Sequence, residues 1–170
     1  IDTGTIVGSD AVTVDASGWT GLTALTSTSV GATTLTGAAT TDITSTITTA
    51  AATALSVQGG KEVTTTSTGA TTGTVSIGGT TAPAGDVNVT YTSAMAAGAG
   101  ATTQTSGAIT VTGGTTPSVT SNQTVTVSNH SSDAATIGAV TITGNADTTS
   151  ATVTQTAAQS YNLAATRTAI

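Results

Sequence analysis

The sequence predicts an all-β protein built as a β-solenoid, in which short strands stack coil upon coil. Thr alone accounts for 48 of the 170 residues, and β-branched side chains favour the pleated strand over the helix. Apolar and polar residues alternate in many short runs, which is the pattern of a half-buried strand. The segments SIGGTT at 76–81 and TVTGGTT at 110–116 nearly repeat each other, and such repetition is typical of stacked coils.

Eight runs show the alternation most clearly, and Gly, Asn or Ser follows most of them. These residues turn the chain at positive φ with little penalty. The predicted strands are 11–14, 42–48, 74–77, 87–92, 108–112, 124–128, 139–143 and 151–156. The stretch up to residue 54 is less regular, and 49–55 (TAAATAL) fits either a short helical turn or a loop.

Within these runs the aliphatic residues are expected to stack inward, with the intervening Thr residues facing outward. The predicted inward residues are Val12, Val14, Val75, Ile77, Val87, Val89, Ile109, Val111, Val125, Val127, Val140, Ile142 and Val153. No domain boundary is visible, so we expect residues 1–170 to form a single β-solenoid segment. The start at Ile1, without Met or a leader, indicates a piece of a longer polypeptide.

A β-sandwich is the alternative fold, because short strands separated by about 8–12 residues are its signal as well. Sandwich cores normally contain aromatic anchors. Here Trp19, Tyr91 and Tyr161 are the only aromatic residues, which favours the solenoid.

Composition excludes several classes of function. Two basic residues and a net charge of −6 leave no basic surface for nucleic acid. The absence of Cys excludes disulfides, thiolate zinc sites and cysteine catalysis, and a single His excludes a cluster of His ligands. No apolar run approaches the roughly 18 residues of a transmembrane segment.

The one group of residues that suggests catalysis is NHSSD at 129–133, which puts Ser, His130 and Asp within five residues. Members of a catalytic triad usually come from distant segments, so a polar surface turn explains this group better. We therefore predict that the chain is not an enzyme and has no catalytic residues.

Four segments resemble the Thr/Ala-rich body of Caulobacter-type surface-layer proteins and of RTX-type secreted bacterial surface proteins. They are 17–26 (SGWTGLTALT), 107–114 (GAITVTGG), 140–145 (VTITGN) and 151–158 (ATVTQTAA), and the similarity covers most of residues 16–158. The resemblance implies a right-handed parallel β-helix, type I secretion, calcium binding and a position on the cell exterior. Partners would then be further copies of the protein and cell-surface polysaccharide.

Calcium is the cofactor that this resemblance suggests, although the tandem RTX motif is missing. Residues 8–13 (GSDAVT) match only the last six positions of the nonapeptide, and Thr5 and Ile6 replace its leading glycines. Asp10, Asp86 and Asp147 are the candidate calcium ligands. An Asp that accepts backbone hydrogen bonds in a turn is the simpler explanation at each position, because calcium needs about 6–8 oxygen ligands.

Three functions fit these observations. The leading one is a structural protein that assembles itself into an extracellular surface layer or filament. The second is a spacer or binding module of an adhesin, which would have the same composition. The third is an ice-binding solenoid, suggested by recurring Thr-x-Thr. Irregular coil length argues against the flat Thr array that ice binding needs.

Overall fold

The computed structural model describes residues 2–48, 52–69, 72–96, 103–127 and 134–161, and all regular structure in these ranges is β-strand. Fifteen strands follow one another along this part of the chain. They are β1 (Thr3–Gly8), β2 (Val12–Ala16), β3 (Ala24–Ser29), β4 (Thr33–Gly37), β5 (Asp42–Thr48), β6 (Leu55–Gly59), β7 (Val63–Gly69), β8 (Val75–Ile77), β9 (Val87–Ala96), β10 (Thr103–Thr105), β11 (Ile109–Thr112), β12 (Ser118–Val127), β13 (Ala134–Thr136), β14 (Val140–Thr143) and β15 (Thr152–Tyr161).

The strands form two main sheets, and the chain passes from one sheet to the other and back. A seven-stranded sheet has the order β1-β3-β5-β7-β9-β12-β15, and a six-stranded sheet has the order β14-β11-β8-β6-β4-β2. The short strands β10 and β13 pair with each other. Every pairing among the described residues is parallel. The arrangement is compatible with a β-solenoid and differs from the antiparallel sheets of the alternative sandwich.

Successive coils differ in length, yet their strands stay in register. In the seven-stranded sheet Leu25 lies opposite Ile43, Ile43 opposite Val63, and Val63 opposite Val87, so these coils take 18, 20 and 24 residues. The added residues lie in the connections between strands. The strands can therefore stack without a shift while the loops vary.

The core is a set of aliphatic columns between the two sheets. Leu25, Ile43, Val63 and Val87 form one column of the seven-stranded sheet. On the six-stranded sheet the facing columns include Leu35, Val57, Ile77 and Val111. Each of these side chains is almost completely buried, so the solenoid-like stack has a continuous hydrophobic interior.

Most predicted inward residues are indeed in this interior. The buried ones are Val12, Val75, Ile77, Val87, Val89, Ile109, Val111 and Val125, and the partly buried ones that pack against the core are Val14, Val140 and Ile142. The side chain of Val127 lies outside the described part. Val153 lies on the predicted inward side, since it aligns with buried Val119, but its side chain is 46% exposed. It is on the outermost strand of its sheet, where no further described strand covers it.

The region before residue 54 is more regular than its sequence suggests. It contains β1 to β5 in the same alternating pattern as the later strands. Residues 52–54 have no regular structure and β6 begins at Leu55, while 49–51 lie outside the described residues.

Among the aromatic residues, Tyr91 is fully buried and Trp19 is 46% exposed, and the side chain of Tyr161 is not described.

Part of the interior is polar. Ser27, Ser45 and Thr65 occupy one column on β3, β5 and β7, and all three are buried. Their hydroxyl groups have no hydrogen-bond partner among the described residues. Small hydroxylated side chains therefore fill inward positions that a sequence pattern assigns to aliphatic residues.

Where the chain approaches β8, β11 and β14, three glycines stack tightly. A Cβ on Gly107 would lie 1.8 Å from the carbonyl oxygen of Gly73, and one on Gly138 would lie 2.3 Å from that of Gly107. A side chain has no space at this corner, which explains why Gly recurs there.

Candidate functional surfaces

Asp86 lies just before β9 and has the most developed environment of the three predicted calcium ligands. Its Oδ1 accepts hydrogen bonds from the hydroxyl groups of Thr115 and Thr116, each at 2.5 Å. The hydrogen bond from Thr115, followed by that from Thr116, lowers the pKa of the Asp86 carboxyl group. The Asp86 carboxylate thus links its own coil to the next coil by hydrogen bonds.

Asp86 also ends a short ladder of acidic residues that sequence analysis missed. Asp42, Glu62 and Asp86 immediately precede the stacked residues Ile43, Val63 and Val87 on adjacent strands. The backbone N–H of Glu62 donates to Asp42 Oδ1 at 3.3 Å. Only the register reveals this alignment, because about twenty residues separate each member from the next.

The Lys61 ammonium group lies beside this ladder, with its Nζ 3.8 Å from Asp42 Oδ1. Both side chains are about half exposed, and an ion pair in that setting contributes little to stability.

Asp147 and Asp10 lie in exposed turns. The Asp147 N–H donates to Asn145 Oδ1 at 3.0 Å, and the Thr148 hydroxyl donates to the Gly114 carbonyl at 2.7 Å. Asp10 lies between β1 and β2, where its backbone packs against Gly31: a Cβ on Gly31 would lie 2.6 Å from the Asp10 carbonyl oxygen.

The three predicted ligands do not lie together. Asp86 and Asp147 belong to connections from the six-stranded to the seven-stranded sheet, whereas Asp10 belongs to a connection in the opposite direction. No group of three or more His, Asp or Glu residues suited to a metal ion occurs in the described part of the chain. Calcium binding stays a prediction. His130 and its neighbours at 128–133 lie outside the described residues.

The outward side of the seven-stranded sheet is a nearly uniform array, which we call the threonine face. Its residues form three columns across β3, β5, β7, β9, β12 and β15, in register from strand to strand. The first column is Thr26, Thr44, Thr64, Asn88, Ser118 and Thr152; the second is Thr28, Thr46, Thr66, Thr90, Thr120 and Thr154; the third is Thr48, Thr68, Thr92, Asn122 and Thr156. All are exposed or half-exposed.

The six-stranded sheet has a less uniform outward side. One column contains Thr13, Thr34, Ser56, Ser76, Thr110 and Thr141. Its second column includes Asp15 and Gln58. The Gln58 side chain accepts hydrogen bonds from the Thr80 and Thr81 N–H groups, so it belongs to a loop contact. The Asp15 carboxylate accepts from Ser17, which lowers its pKa.

At the outer edge of the seven-stranded sheet lies β15. It pairs with β12 along ten residues, and its other edge pairs with no strand in the described part of the chain. Its sequence, TVTQTAAQSY, contains neither a charged residue nor Pro. Edge strands of soluble proteins commonly contain such residues, which block pairing with another chain.

No helix in the described ranges is long and apolar enough to cross a membrane. Comparisons of the sequence with protein-family models and with curated proteins give no match.

Proposed function

We propose that the chain is a structural segment of an extracellular, self-assembling surface-layer or filament protein, folded as a right-handed parallel β-helix. Right-handed connections are the rule between parallel strands of one sheet. The resemblance of four sequence segments to bacterial surface-layer proteins supports the extracellular location.

The observation that most strongly supports self-assembly is the unpaired outer edge of β15. Val153 continues the column of Val89 and Val119, both of which are buried, but is itself 46% exposed. An exposed strand edge beside an uncovered apolar residue favours addition of another strand. The proposed occupant is a β-strand of a second copy of this chain, which would extend the seven-stranded sheet and cover Val153.

A pair of charged variants tests this proposal. Val153→Lys places a charge in the column that a second copy would cover, whereas Thr154→Lys places the same charge on the neighbouring outward residue. Both positions are exposed, so both variants should fold. We expect the unmodified chain and Thr154→Lys to associate as concentration rises in sedimentation velocity, and Val153→Lys to remain monomeric. A monomeric unmodified chain, or equal loss of association in both variants, would contradict the proposal.

A further inference from the structure

We propose that the threonine face binds the surface of ice. The inference is independent of the self-assembly proposed above, since it concerns the broad outward side of the sheet and not its edge.

The first argument is the two-dimensional regularity of the face. Neighbouring strands of a sheet lie about 4.8 Å apart, and alternate residues of one strand are separated by roughly 6.6 Å. The columns place hydroxyl groups, or the amide groups of Asn88 and Asn122, at these two intervals over five or six strands. Water molecules in ice repeat in two directions at distances of similar size, so many residues can contact an ice surface at once.

The second argument is chemical. Fourteen of the seventeen residues in the three columns are Thr, and the others are Asn88, Ser118 and Asn122. None of the seventeen is charged, whereas an ammonium or carboxylate group would hold its own hydration shell. The acidic ladder Asp42, Glu62 and Asp86 borders the first column, two residues before it along the chain in each case, so the uncharged array begins at that column. Each Thr has a hydroxyl group that can hydrogen-bond to water. It also has an apolar methyl group, next to which water is ordered.

The third argument is that the Thr side chains are available and rigid. In the second column, from Thr28 to Thr154, the hydroxyl groups have no hydrogen-bond partner among the described residues. A β-branched side chain in a strand has restricted χ1 freedom. Little side-chain entropy is therefore lost when the array contacts an ordered surface.

Variation in coil length, which argues against a regular array at the level of the sequence, does not disturb this face. The coil from Val87 to Pro117 has 30 residues and that from Leu25 to Ile43 has 18, yet Thr28, Thr90 and Thr120 lie in the same column. The regularity comes from the strand pairing, which keeps these residues in register even though β9 and β12 are longer than β3.

Matched double variants test the inference. Thr44→Lys with Thr90→Lys changes two exposed residues of the threonine face, and Thr34→Lys with Thr110→Lys changes two exposed residues of the six-stranded sheet. The two double variants have the same net charge. Circular dichroism and thermal unfolding establish that each double variant is folded. If the threonine-face variant does not fold, the single variant Thr90→Lys takes its place.

The measurements are inhibition of ice recrystallisation and the fraction of protein incorporated into a slowly growing ice crystal. We expect the unmodified chain and the six-stranded-sheet variant to be active, and the threonine-face variant to require at least about tenfold more protein for the same inhibition. An inactive unmodified chain would overturn the inference. Equal activity of the two double variants would overturn it as well. Loss of self-association in the threonine-face variant, without any ice activity in the unmodified chain, would instead identify the face as a contact between copies.

Discussion

The Tyr91 hydroxyl group accepts a hydrogen bond from the Gly107 N–H at 3.0 Å, and it donates one to the Gly73 carbonyl, also at 3.0 Å. Tyr91 is fully buried, so its phenol joins two connections that lie one coil apart. Tyr91→Phe removes these hydrogen bonds and keeps the ring. We expect the free energy of unfolding to fall by about 1–3 kcal/mol, because buried peptide groups lose a partner.

Urea unfolding followed by circular dichroism measures this change. The urea midpoint should fall while the slope of the transition is unchanged, as expected when only the native state is weakened. An unchanged midpoint would mean that the Tyr91 ring stabilises the core and that its hydroxyl group does not.

Gly107→Ala tests the close stacking of Gly73, Gly107 and Gly138 in successive coils. The new Cβ would lie 1.8 Å from the Gly73 carbonyl oxygen, so the backbone of two coils must move apart. We expect a loss of about 3 kcal/mol or more, at the upper end for overpacked sites. Gly18→Ala is the control, since a Cβ at Gly18 meets no atom within 4 Å. If both variants melt at the same temperature, the corner is not tightly packed.

Val111→Asp tests the assignment of the interior. Val111 is fully buried between β8 and β14, and an Asp there is a buried carboxyl group without a partner. We expect the loss of at least about 3 kcal/mol, or of the folded state. Val153→Asp makes the same change at an exposed position and should have little effect. Equal protease resistance of Val111→Asp and the unmodified chain would show that the inward side is wrongly assigned.

The Asp86 carboxylate makes stability depend on pH. Its pKa in the folded state is lowered from the ordinary value of 3.8 by the hydroxyl groups of Thr115 and Thr116. The folded state therefore binds fewer protons than the unfolded state in this range, and stability rises with pH. The stabilising contribution of the Asp86 carboxylate is complete above pH 3.8. It is lost as the pH falls through the lowered pKa that this group has in the folded state.

Asp86→Asn removes that contribution. We expect the variant to be less stable than the unmodified chain at neutral pH, and the difference in melting temperature to shrink as the pH falls below 3.8. Asp10→Asn, at an exposed position, serves as the control. A difference between Asp86→Asn and the unmodified chain that stays constant from neutral to acid pH would mean that the effect is not one of ionisation.

Several strands with aliphatic inward residues could be predicted from the sequence, although β6, with inward Leu55 and Val57, was not among them. β5 was predicted with the same bounds, because Ile43 and Ile47 lie four residues apart with polar residues between them. β7 could not be predicted in this way, since its inward positions after Val63 are Thr65 and Ser67. A buried hydroxylated side chain does not contribute to hydrophobic alternation, although the register places Thr65 directly beside Val89 and Ser67 beside Tyr91 on the next strand.

The candidate surfaces depend on register, which the sequence alone does not determine. Recurring Thr-x-Thr includes Thr90 and Thr92 of β9, but it equally includes Thr110 and Thr112 of β11, which belongs to the other sheet. Coil length varies between successive strands, so no fixed period aligns the members of one column. The acidic ladder that ends at Asp86 was missed for the same reason.

Fibre diffraction from oriented assemblies of the purified chain tests the central claim most directly. If copies join by extending the seven-stranded sheet beyond β15, the strands lie across the long axis of the assembly. We therefore predict a strong reflection at about 4.8 Å along that axis, the spacing between neighbouring strands. The same reflection at right angles to the long axis would show that copies associate through their outward sides, and a chain that forms no assemblies at high concentration would contradict the claim altogether.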